Sequence, residues 1–75
     1  MRWQDHITVT AGVRGGKPCI KGTRLTGGNV LDYLASGMTE EQILSDFPQL
    51  RPEHIKAVIA FAAELAQRLS VPQLA

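Results

Sequence analysis

The run from Pro52 to Leu69 most constrains this chain, because Ile55, Val58, Ile59, Ala62, Leu65, Ala66 and Leu69 recur at intervals of three and four residues. That spacing lines one broad face of an α-helix. Pro52 suits a first helical position and Glu53 falls near the positive helix end, which places the helix at about residues 52–69, roughly 27 Å long at ~1.5 Å per residue. Ala57, Ala60, Phe61 and Ala63 add apolar surface beside the stripe. A chain of 75 residues has little with which to cover it. Domains of this size bury only about 60–65% of their unfolded surface. Without disulfides or metals they often complete their burial by associating. A homodimer is therefore expected, with Val58, Phe61, Ala62, Leu65 and Leu69 at the interface. A thicker core within one chain is the alternative.

The preceding residues read as a small β element and two short helices. His6-Ile7-Thr8-Val9-Thr10 alternates polar and apolar residues and is β-branched, the pattern of a half-buried strand with Ile7 and Val9 on one face. A glycine-rich loop follows at residues 11–17, and Pro18-Cys19-Ile20-Lys21 returns as a second strand closed by Gly22-Thr23-Arg24. Val30, Leu31, Leu34 and Ala35 recur at helical spacing and Gly37 supplies a left-handed stop, so helix 1 is placed at about residues 27–36. Thr39 and Gln42 form a capping box that opens helix 2. Its Ile43, Leu44 and Phe47 face inward, and Pro48 ends it. The expected fold is mainly α: a short N-terminal β-hairpin or ribbon followed by a three-helix, helix-turn-helix-like bundle. One domain over residues 1–70 and an irregular tail at 71–75 are expected.

Charge divides the chain. Residues 1–24 carry a net +4 and residues 25–75 a net −3. Arg14, Lys17, Lys21 and Arg24, separated by glycines, could neutralise phosphates from an exposed ribbon. A solvated loop whose charges protect a strand edge is the bland counterpart. Helix 2, the turn at residues 48–51 and helix 3 resemble a helix-turn-helix, which offers the first turn of its second helix to a major groove. Arg51, His54 and Lys56 are the candidate contacts there, against an ordinary three-helix core as the structural alternative. Glu40, Glu41, Asp46 and Glu53 oppose deep insertion at that end, which would shift DNA affinity to the ribbon.

Several classes are excluded on chemistry. Gly15-Gly16-Lys17 is no phosphate loop, because Ala11 stands at the first glycine position and Pro18 replaces the hydroxyl that would hold magnesium. The single cysteine, Cys19, forbids an internal disulfide, and neither His6 nor His54 has a second histidine or cysteine at metal-ligand spacing. No catalytic residue, cofactor, metal or small-molecule substrate is expected. No apolar run approaches the ~20 residues of a membrane span, and the N-terminus lacks a signal peptide's apolar centre, so a cytoplasmic location is expected.

Gly16-Lys17-Pro18, Ile20-Lys21-Gly22-Thr23-Arg24, Gly37-Met38-Thr39, Glu41-Gln42-Ile43-Leu44, Phe47-Pro48 and Leu50 together resemble the domain-of-unknown-function family 433, over about residues 5–65. The resemblance implies a small β element before a helix-turn-helix-like bundle, usually dimeric. It further implies an antitoxin of a type II toxin-antitoxin pair, similar to VapB-type partners of PIN-like ribonucleases. Such a protein would neutralise the ribonuclease and repress its own operon, with the tail from Ser70 to Ala75, or exposed apolar surface around it, engaging the toxin. A twofold dimer would read an inverted repeat. Alternatives are a stand-alone transcriptional regulator and a protein-interaction subunit that binds no DNA. The family usually continues after Thr-Arg with Ile-Pro-Val, whereas Leu25-Thr26-Gly27-Gly28 stands here, which implies a less firm start to helix 1. Cys19 occupies a position where valine is commoner.

Overall fold

Pairing in the N-terminal sheet is reduced to its minimum: β1 (Ile7–Thr8) runs antiparallel to β2 (Cys19–Ile20), with Ile7 opposite Ile20 and Thr8 opposite Cys19. The computed structural model describes residues 2–10, 12 and 14–69. Before β1 the chain makes a 3-10 turn at Trp3–Asp5, and a second, glycine-bearing turn spans Arg14–Gly16. Three helices follow: α1 (Gly27–Ala35), α2 (Glu40–Asp46) and α3 (Pro52–Arg68). The architecture is mainly helical behind a short antiparallel hairpin.

The strands are shorter than the alternating pattern predicts, and Val9, expected beside Ile7 on a buried face, is 61% exposed. Among the described residues no strand pairs with the chain after Thr8, so the period-two pattern has no face to continue. β2 is nevertheless the anchor of this half. Its second edge is satisfied by the lead-in to α1, with Ile20 N–H donating to the Leu25 carbonyl and Gly27 N–H to the Pro18 carbonyl, each at 2.9 Å. Gly22 makes the intervening turn at φ 78°, a left-handed value that side chains resist. Thr23 completes it, its hydroxyl donating to the Ile20 carbonyl at 3.0 Å and accepting from Leu25 N–H at 3.1 Å.

The expectation of a loosely started α1 is corrected. Thr26 and Asn29 form a reciprocal capping box, the threonine hydroxyl accepting from Asn29 N–H at 3.0 Å and the asparagine carbonyl oxygen accepting from Thr26 N–H at 3.2 Å. These bonds satisfy orphan amides and offset the low helix propensity of Gly27 and Gly28. Thr26→Ala should therefore cost about 1 kcal/mol, read as a lower urea midpoint with an unchanged slope. At the other end Gly37 is left-handed, with Gly37 N–H bonding the Leu34 carbonyl and Met38 N–H the Tyr33 carbonyl, each at 3.1 Å. That is a Schellman stop.

α2 opens on the expected Thr39–Gln42 box and ends before Pro48. The core forms where β2, α1, α2 and α3 converge: Ile7, Ile20, Val30, Ile43, Leu50, Ile55, Ala57 and Val58 are buried together. Tyr33 and Phe47 stack at 5.3 Å and close one side. No helix among the described residues is long and apolar enough to cross a membrane.

Candidate nucleic-acid interface and partner face

The basic residues of the hairpin half stand on its connections. Lys17 precedes β2, Lys21 follows it, and Arg24 lies in the turn held by Gly22 and Thr23; all three are exposed. The two strands are not a free ribbon, because Ile7, Cys19 and Ile20 are buried in the core. The backbone of Arg14 belongs to the glycine-bearing turn, and its side chain lies outside the described residues. At the start of α3, Arg51 and Lys56 are exposed as expected. Among the described residues, the ion pairs within 4.0 Å are Arg2–Asp5 and Glu64–Arg68. Lys17, Lys21, Arg24, Arg51 and Lys56 take part in neither.

His54 departs from its expected place as an exposed contact. It is half-buried, and its Nδ1 accepts a hydrogen bond from Arg51 N–H at 2.9 Å, capping α3. Its ring meets the ring of His6 edge-on, centroids 5.6 Å apart. Burial, the neighbouring His6 and Arg51 all push its pKa below the ordinary imidazole value, in that order of weight apart from an opposing pull from Glu53 between the last two. His6 in turn gives its carbonyl to Lys21 N–H at 2.8 Å. This chain of contacts joins Lys21 at the end of β2 to Arg51 at the start of α3. Two segments that the sequence presents as separate basic candidates thus meet through a histidine pair, which neither spacing nor composition could reveal. Among the described residues, no three or more histidine, cysteine or acidic side chains gather as metal ligands.

On the far part of α3 the expected partner face is partly redrawn. Val58 is 0% exposed and belongs to the core of its own chain, so it is removed from the surface offered to a second copy. Phe61 is half-buried against Trp3, with ring centroids 4.8 Å apart, and Trp3 Nε1 donates to Glu64 Oε2 at 2.7 Å. The N-terminal turn therefore covers that side of the helix. Ala62 is half-buried, while Leu65 and Leu69 are 46% and 69% exposed and Ile59 is 48% exposed. Positions 58, 62, 65 and 69 lie on one helical face. α1, α2 and the N-terminal turn pack on α3, yet that face emerges uncovered over the last two turns. Ser70 to Ala75, the expected toxin-contacting tail, lies outside the described residues.

A family model described as "Protein of unknown function (DUF433)" matches residues 7–62. The chain belongs to the DUF433 family. The matched span runs from the first residue of β1 through the exposed basic positions to Ala62, and stops before Glu64, Leu65 and Leu69. The chain is also similar to a solved DUF433 member protein from Anabaena variabilis ATCC 29413, at 26% identity and a TM-score of 0.80. That match covers 87% of this chain and 64% of the Anabaena one, so this chain spans less than two thirds of that protein's length. A search of curated proteins gives no match.

Proposed function

We propose that this DUF433 chain is a DNA-binding homodimer of the antitoxin kind, which neutralises a PIN-like ribonuclease and represses its own operon in the cytoplasm. It acts by binding and not by catalysis. The observation that carries the DNA reading is the set of exposed cations outside any described ion pair: Lys17, Lys21 and Arg24 around β2, with Arg51 and Lys56 at the start of α3. Exposed cations left free in this way neutralise phosphates and release counterions. The uncovered end of the α3 face supplies the twofold contact, and the twofold would present each basic set to one half of an inverted repeat. The toxin partner rests on the antitoxin character implied by the family resemblance.

The experiment is a salt titration of binding to the chain's own upstream DNA. Each phosphate contact contributes a slope of about 0.9 in log K against log salt. Changing Lys17, Lys21 and Arg24 together to alanine should flatten that slope by about 2–3 per chain and weaken binding across sequences. An unchanged slope would remove the hairpin half from the interface. Exposed Glu40, Glu41 and Asp46 on α2 favour a second reading, a protein-binding subunit without DNA. In that case the chain co-purifies with the product of the neighbouring gene and shifts no DNA at any salt concentration. DNA binding without such a partner instead marks a stand-alone regulator.

A further inference from the structure

The three helices begin on one shared device, in which the side chain of the third helical residue accepts the N–H of the residue before the helix. Asn29 does this for Thr26 at 3.2 Å, Gln42 for Thr39 at 2.8 Å and His54 for Arg51 at 2.9 Å. The first two acceptors are amide oxygens, which do not titrate near neutral pH. The third is an imidazole nitrogen, which accepts only while it carries no proton. α1 and α2 also have a threonine hydroxyl returning the bond, from Thr26 and Thr39. Arg51 has no hydroxyl, and His54 N–H is bonded to the Arg51 carbonyl at 2.9 Å. The α3 start therefore depends on the one cap that acid can remove.

The surroundings of His54 raise the stakes of that proton. His6, at the junction of the N-terminal turn and β1, faces it edge-on at 5.6 Å. Arg51 adds positive charge from its own helix end, and Glu53 opposes it. Asp5, next to His6, is paired with Arg2 at 3.7 Å, and Lys21 is bonded to His6 through its backbone. We infer that His54 and His6 form a proton-controlled latch holding the N-terminal turn and β2 against the start of α3. With its ring neutral, His54 caps Arg51 and keeps its edge-on contact with His6. A proton on Nδ1 turns that acceptor into a donor facing another N–H, and the charged ring is repelled by the neighbouring Arg51 guanidinium. The latch then opens and frees the helix end that carries Arg51 and Lys56. It needs no partner, so it stands or falls apart from the DNA reading.

The lowered pKa of His54 sets the sign. Between its folded value and the ordinary imidazole value of about 6.5, the unfolded chain holds a proton that the folded chain does not. Stability is therefore complete above about pH 6.5, falls as pH drops through the folded pKa, and is level below it. The test is urea unfolding of the full chain, without DNA, from pH 8 to pH 5. A single cap bond corresponds to roughly a fivefold fall in the folded-to-unfolded ratio across that window. His54→Gln keeps an acceptor of the kind Gln42 provides and cannot titrate, so its stability should be level where the native chain's falls. His54→Ala lacks the cap at every pH, so it should be less stable than the native chain at pH 8 and less stable than His54→Gln at both ends. Proton NMR of the native imidazoles supplies a second measurement that needs no variant. His54 should titrate below 6.5, and the Arg51 amide should lose exchange protection over the same range. A His54 titrating at or above 6.5, or a His54→Gln chain with the native pH dependence, overturns the latch.

Discussion

Val58→Asp should leave the chain unfolded at 25 °C. Val58 is wholly buried between α3 and the segment that leads into α1, and a Cβ on Gly27 would lie 4.0 Å from its Cγ1. An aspartate there would either keep its charge without a partner or take up a proton, and either course costs several kcal/mol. The apolar contacts of the valine, about 2 kcal/mol, are lost as well. A domain of 75 residues at about 0.05–0.15 kcal/mol per residue holds only about 4–11 kcal/mol in total. Far-UV circular dichroism would show the helical signal and its cooperative melt gone. A Val58→Asp chain that melts cooperatively and fails only to self-associate would return this residue to the interface where the sequence places it.

Changing Leu65 and Leu69 together to glutamate should have the complementary effect, leaving a folded chain that no longer pairs. Both leucines continue the face that Val58 occupies, and in the single chain they are 46% and 69% exposed, so the fold gains little from them. In a twofold contact each counts twice. Burying their remaining apolar surface is worth roughly 4 kcal/mol in all, on the order of a thousandfold in the dimer dissociation constant. Sedimentation equilibrium at tens of micromolar should show the native chain as a dimer and the variant as a monomer with an intact helical spectrum. A native chain that sediments as a monomer at those concentrations removes the twofold scheme.

Much of the fold was legible in the sequence. Thr39 and Gln42 announced α2, Pro52 marked the first residue of α3, and Gly37 stopped α1 with the left-handed turn that its missing Cβ permits. One local device overlooked, the Thr26–Asn29 box, was also there to read, but asparagine is a less familiar partner than glutamate or glutamine at that position. The strands were overestimated because alternation in His6 to Thr10 records a preference for extended backbone, and only a partner turns that preference into a ladder.

The candidate site was legible in part. Lys17, Lys21, Arg24, Arg51 and Lys56 are exposed as their charges require, since an unpaired cation is costly to bury. His54 was misplaced because its two roles depend on different distances. Its bond to Arg51 spans three residues and follows the logic of the other caps, whereas its contact with His6 arises only when the N-terminal turn comes to rest on α3.

The sequence by itself determined the helices, their caps and stops, and which residues carry charge, because these follow from hydrogen bonds and torsions that act within three or four positions. Only the tertiary structure decided how far the apolar face of α3 is covered. Trp3 reaches Glu64 across 61 residues and shields Phe61, while nothing among the described residues covers Leu65 and Leu69 in the same way. Burial is a property of whatever lies opposite, and no periodicity along one helix records where a distant segment will settle.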